Sequence, residues 1–188
     1  MAAPQRRVGS ESSATRHQLL DAVERLMAAD GYATVTYRKL AAAVGVSAAS
    51  VQYYFPTLDE IFLATLRRRS GENLQRLRER LETTDDPLRT IWEFSRGEAA
   101  GPVTAEFLAL GNHRKTIAAE IAAVTDEVRS VQLEAMSQLR RKTFRLNLDP
   151  AALVVLLNGV PKLLQLEEST GIDAGHQDLI DAIERLIS

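Results

Sequence analysis

The sequence predicts an all-α fold: short N-terminal helices, then a long fourth helix leading into a larger helical body. Three observations carry this. Apolar residues recur at three- and four-residue spacing along almost the whole chain. Capping residues and Gly or Pro stops stand where those stripes begin and end. No segment alternates apolar and polar residues as a half-buried strand does.

The elements follow in order. Leu19, Leu20, Val23, Leu26 and Met27 form one stripe, and Gly31 ends it. Thr36 caps a short second helix with Leu40, Ala41 and Val44, and Gly45 closes it. Ser47 caps a third helix carrying Val51 and Tyr54, with Pro56 just beyond. Thr57 to Glu60 is a capping box that opens a fourth helix to about Leu81. Asp85-Asp86-Pro87 opens a fifth, with Ile91 and Trp92, which breaks near Gly97. A short helix follows Gly101-Pro102. From His113 to Leu146 there is neither Gly nor Pro. Ile117, Ile121, Val124, Val128, Val131 and Ala135 make one stripe there, predicting a helix of about 34 residues, about 51 Å long. Asp149-Pro150 opens the next helix, and Gly171 and Gly175 bracket a loop before the last.

Composition excludes several function classes. The 188 residues are 45% hydrophobic and 26% charged, ordinary values for a globular chain and unlike those of a disordered tail or a fibre. With no cysteine there is no disulfide framework, thiolate metal site or Cys nucleophile. His17, His113 and His176 stand far apart, so no metal site is expected. No run of 18 apolar residues exists to span a membrane. Arg6 and Arg7 have no apolar core after them, so the start is no secretory signal and the expected compartment is the cytoplasm. Residues 1–70 hold nine basic and six acidic side chains, and residues 71–188 hold fourteen and nineteen. A net of +3 in front and −5 behind fits a DNA-binding head on a separate partner-binding body.

Residues Tyr37 to Pro56 read YRKLAAAVGVSAASVQYYFP. Ala41 is small where two helices cross, Gly45 suits a turn needing positive φ, and Val51 packs the second helix of the pair onto the first. Leu40, Val44, Val46 and Tyr54 complete a small core. This spacing is that of a helix-turn-helix, and equally of an ordinary αα-hairpin. The flanks add to it. The run from Thr15 through Leu66 resembles the N-terminal domain of TetR-family transcriptional regulators. Gly31-Tyr32, Thr36, Ala41, Gly45-Val46-Ser47, Val51, Tyr54-Phe55 and Ile61 match the family pattern position by position. The organisation this implies is a flexible arm at 1–12, a DNA-binding domain at 13–70 with its helix-turn-helix at 36–55, and a ligand-binding and dimerisation domain at 71–188.

A recognition helix enters the major groove by its first turn, which here presents Ala48, Ala49, Gln52 and Tyr53. Gln can bond adenine through two hydrogen bonds, and Ala can touch a thymine methyl. Arg38 matches a position where family members often carry a base-reading Arg. Thr36, Lys39, Ser47, Ser50 and Tyr54 are placed to hold phosphates, which fixes register without reading sequence. Two positions depart from the family pattern: Gln52 stands where Tyr is usual, and Leu58 where Lys is usual. Leu58 cannot hold a phosphate, and Asp59 and Glu60 beside it repel one, so affinity and salt slope should fall. Arg6 and Arg7 in the arm offer compensation by lying along a groove.

The segment ALVVLLNGVPKLLQLEE, residues 152–168, is apolar almost all round, as a helix covered on both sides is. In the TetR family the two C-terminal helices pair with their twins. The resemblance places Leu153, Leu156, Leu157, Val160, Leu164, Ile180, Ile183 and Ile187 on a homodimer seam. A two-fold dimer suits a palindromic double-stranded operator. Trp92, Phe94, Phe107, Leu110 and Ile117 lie on the middle helices, where the family builds its inducer cavity, with Arg96, His113 and Thr116 as polar handles. These aromatics equally fill a plain core. The expected ligand is small and hydrophobic.

The expected function is a homodimeric, ligand-responsive repressor, with no cofactor and no catalytic residues. The alternative is a small-molecule-binding protein whose DNA head is weak or vestigial, motivated by Gln52 and Leu58. No metal-ligand spacing, phosphate loop or Ser/His/Asp set suggests an enzyme.

Overall fold

A computed structural model describes residues 14–137 and 148–188. The arm at 1–12 and the predicted end of the long helix near Leu146 lie outside them. Every regular element among the described residues is helical: α1 (Ala14–Asp30), a 3-10 turn (Tyr32–Thr34), α2 (Tyr37–Val44), α3 (Ala48–Tyr54), α4 (Leu58–Thr83), α5 (Pro87–Phe94), a π turn (Ser95–Ala99), α6 (Pro102–Gly111), α7 (Lys115–Ser137), α8 (Pro150–Glu168) and α9 (His176–Ile187). The chain divides into two compact units. The first runs through Arg69 and takes in Glu106–Glu120; the second holds Ser70–Ala105 and Ile121–Ser188. Helices α4, α6 and α7 each contribute residues to both.

In the first unit, cap chemistry sets the helix ends. Thr36 Oγ1 accepts from the Lys39 N–H at 3.2 Å and starts α2. Gly45, at φ 77°, ends it, and the N–H groups of Gly45 and Val46 both reach the Ala41 carbonyl. A side chain at Gly45 would meet open space, so its requirement is the left-handed backbone and not room. Ser47 Oγ accepts from the Ser50 N–H at 3.0 Å and starts α3. Thr57 Oγ1 accepts from the Glu60 N–H, and its hydroxyl donates to the Glu60 carboxylate, as a capping box does. α2 packs on α1 and α3. The buried residues of this unit include Leu19, Leu20 and Val23 of α1, Leu40 and Ala41 of α2, Val51 of α3, and Ile61 and Phe62 of α4. Phe55 is buried while Val44, Val46 and Tyr54 are only half-buried, so Phe55 and not Tyr54 closes this core.

Ion pairs tie α4 to α1: Arg68 to Asp21 at 2.7 Å and to Glu24 at 2.8 Å, and Arg69 to Glu24 at 3.3 Å. Three polar contacts hold Glu106–Glu120 in the same unit. Glu106 Oε2 accepts from the Tyr32 N–H at 2.7 Å, Arg114 pairs with Asp59, and Arg67 pairs with Glu120 at 2.7 Å.

In the second unit one apolar cluster joins Leu88, Ile91 and Trp92 of α5, Met136 of α7, Leu153, Val154, Leu157, Val160 and Leu164 of α8, and Ile183 and Ile187 of α9. Asp86 caps α5 ahead of Pro87, and Asp149 caps α8 ahead of Pro150. The α5 pattern loosens into the π turn over Ser95–Ala99, around the expected break at Gly97. The loop between α8 and α9 is closed by His176, whose Nε2 lies 2.8 Å from Glu167 Oε2. α7 departs from its predicted stripe. Gln132 and Met136 are buried, while Val131 and Ala135 are half-buried. The inward face steps by four from Val128 to Gln132 to Met136, and the polar side chain at 132 hid that register.

Candidate nucleic-acid interface

The recognition surface is built on α3. Val51 is fully buried and anchors it, so the face opposite Val51 is turned outward. Ala48, Ala49, Gln52 and Tyr53 are all exposed, Tyr53 by 51%. Its ring meets the half-buried Tyr54 ring edge-on, with centroids 5.5 Å apart. Thr36, Arg38, Lys39 and Ser47 are exposed and Ser50 is half-buried. Thr36 and Ser47 use their oxygens as caps, and Ser47 and Ser50 hydroxyls lie 2.8 Å apart. Lys39 stands 3.7 Å from Asp30, an exposed pair easily exchanged for a phosphate.

Tyr37 was not singled out by sequence. Its hydroxyl lies 3.2 Å from the Phe55 carbonyl oxygen and 2.9 Å from that of Pro56, sharing its proton between them. It thereby fixes the end of α3 to the start of α2. Burial, then the nearby Glu60 charge, pushes its pKa up, so it stays a protonated donor. The Asp59 carboxylate is paired with Arg114, which offsets part of the repulsion expected beside Leu58. Leu58 itself is half-buried.

The residues proposed for a ligand pocket divide between the units. Trp92, Phe94 and Arg96 belong to the second; Phe107, Leu110, His113, Thr116 and Ile117 belong to the first. The apolar ones are buried, while Arg96, His113 and Thr116 are exposed. The buried polar side chains of the second unit are others: His176, and Ser95 and Gln132 with the half-buried Asn158 bonded to both. The residues placed on a subunit seam also differ from expectation. Leu153, Leu157, Val160, Leu164, Ile183 and Ile187 are buried in their own unit's core, and Leu156 and Ile180 are half-buried against it. A helix apolar on all sides carries no periodic sign of which face turns inward. The outward apolar residues of α8 are Val155, Leu163 and Leu166, exposed by 49%, 48% and 60%, with Ala152 and Gly159 on the same side. No described helix is long and apolar enough to cross a membrane.

Residues 19–65 match the family model described as bacterial regulatory proteins, tetR family. No curated protein matches the chain in sequence. Among the solved structures that share its fold are the following three. One is a protein described as a transcriptional regulator from Saccharomonospora viridis, in complex with choline. It is 22% identical over 90% of this chain and 95% of that one, with a TM-score of 0.77. Another, described as a TetR-family transcriptional regulator from Rhodococcus sp., is 19% identical over 94% and 100%, at 0.76. The third is E. coli NemR in its reduced form, 17% identical over 94% and 99%, at 0.76.

Proposed function

From the match of residues 19–65 to the tetR family model, we propose that the chain is a TetR-family transcriptional regulator that acts in the cytoplasm as a homodimeric repressor, released from a palindromic operator by a small hydrophobic ligand. The exposed first turn of α3, held from behind by the buried Val51, carries the DNA part of the reading. Gln52 and Arg38 read base edges; Thr36, Lys39, Ser47, Ser50 and Tyr54 hold phosphates, and Ala48, Ala49 and Tyr53 fill the groove.

The outward apolar strip of α8 supports dimerisation. Val155, Leu163 and Leu166 offer side chains to a second copy, and Gly159 lets two helices approach closely. The strip lies on the opposite side of α8 from Leu153, Leu157, Val160 and Leu164, which pack in the unit's own core. The Saccharomonospora protein, which shares this fold, is in complex with choline, and that supports a small-molecule ligand here. The ligand must prefer the form that does not fit DNA, since equal affinity for both forms shifts nothing. A 100-fold loss of operator affinity needs about 2.7 kcal/mol of coupling, and DNA must weaken the ligand equally.

The test is fluorescence anisotropy on a duplex from upstream of the protein's own gene. Affinity should fall by on the order of 10³ between about 50 and 200 mM salt, as counterion release from several phosphates requires. No binding at the lower salt contradicts the repressor and favours a small-molecule binder with a vestigial head.

A further inference from the structure

Four polar side chains of the second unit have no part in DNA contact. Trp92 and Ser95 are three residues apart on α5 and its π turn, hence on one face. Trp92 is 1% exposed, and its buried Nε1–H has no hydrogen-bond partner among the described residues. Ser95 Oγ donates to Asn158 Oδ1 at 3.1 Å. Gln132 Nε2 donates to the same oxygen at 3.2 Å, and Asn158 Nδ2 donates to Gln132 Oε1 and to the Val154 carbonyl, both at 2.7 Å.

Counting donors and acceptors shows what is spare. Asn158 is saturated, with two bonds into its oxygen and both amide protons given. Gln132 keeps one amide proton unused among the described contacts. The Trp92 N–H is unused among the described contacts. A buried donor without a partner is costly to keep, and an acceptor brought by a ligand removes that cost. Leu88, Ile91, Met136 and Leu157 lie in the same apolar cluster as Trp92. The backbone beside this set is irregular on two sides. The π turn begins at Ser95, and in α8 Pro161 offers no N–H to the Leu157 carbonyl, next to Gly159. Such helices yield more readily than regular ones.

We propose that this cluster recognises the effector, and that the effector is an uncharged, largely apolar molecule whose carbonyl-type oxygen accepts from Trp92 Nε1–H and then from Gln132. This rests on the ligand-release reading above. A cation is disfavoured. None of the four side chains is ionised, the Trp92 ring already carries the Arg96 guanidinium at 5.4 Å, and Glu184 is paired with that arginine at 3.3 Å.

Trp92 is the single tryptophan, so its fluorescence reports on the site directly. The probes are alkyl phenyl ketones of increasing chain length, alkylbenzenes of matching length without the carbonyl, and choline. Binding is read without DNA, by thermal shift and by Trp92 quenching. A ketone of the series should bind saturably, its alkylbenzene match at least tenfold more weakly, and choline not at all. Trp92→Phe, followed by thermal shift, should cost the ketone about tenfold while leaving the alkylbenzene unchanged. Should Trp92→Phe fail to fold, Gln132→Met provides the same contrast with a smaller loss. Equal binding of ketone and alkylbenzene, binding of choline instead, or no binding by any ketone overturns the proposal. The ketone is then added to the DNA complex. Binding without release keeps the site and overturns the ligand-release reading; absence of ketone binding beside intact DNA binding does the reverse.

Discussion

The polar side chains that start α2, α3 and α4 stand at helix ends and bond to backbone three residues away; those that join α7 and α8 in the second unit stand inside helices and bond across them. Thr36, Ser47 and Thr57 each take an N–H of their own helix. Ser95, Gln132 and Asn158 bond to one another across as many as 63 residues of sequence. The local kind fixes where short helices begin and so aims α3. The non-local kind couples three elements through one amide, so a change at any member is felt by the others. One unit is therefore suited to presenting a fixed surface, and the other to responding to an occupant.

The largest effect should come from the apolar core beneath α3. Leu40→Ala, at a fully buried position, should cost the first unit about 2–5 kcal/mol. DNA binding should be lost while the Trp92 unfolding transition in the second unit moves little. A Trp92 transition that falls by the same amount would show that the two units melt as one, and would end the comparison.

Next is the amide hub. Asn158→Leu leaves Ser95 and Gln132 without their shared acceptor and should cost about 1–3 kcal/mol, read from urea unfolding by Trp92 fluorescence. Adding Gln132→Leu should recover part of that loss, because it removes the orphaned amide. Additive losses would mean that the two side chains do not act as a pair.

The smallest effect on stability belongs to the cap. Ser47→Ala should cost about 1 kcal/mol and weaken operator and random DNA alike, since it loosens the start of α3 without touching a base. A loss confined to operator would instead make Ser47 a base reader.

Much of the first unit was legible in the sequence, because its signals are short-range. Thr36, Gly45, Ser47 and the Thr57–Glu60 box act within four residues of themselves, and residue type alone announces them. Tyr37 was not legible, since its partners Phe55 and Pro56 lie on the far side of the turn. Nor was the placement of Glu106–Glu120 in this unit, which depends on Glu106 reaching Tyr32 across 74 residues. In the second unit the helices were readable from Asp86-Pro87 and Asp149-Pro150, but their faces were not. α8 is apolar on every side, so only packing distinguishes Leu157 inside from Leu163 outside. Gln132 occupies an inward position of α7, and a polar residue there shifts the apparent stripe by one residue.

The central claim is that α3 reads base edges through Gln52, and one measurement addresses it directly. A duplex is selected from random sequence by the wild-type protein, and the affinities of wild type and Gln52→Ala are compared on it and on a scrambled duplex at fixed salt. Gln52 is exposed, so the variant should fold as the wild type does. It should lose about 1–3 kcal/mol on the selected duplex and almost nothing on the scrambled one. An equal change on both duplexes, or a selection that yields no preferred sequence, would contradict the account.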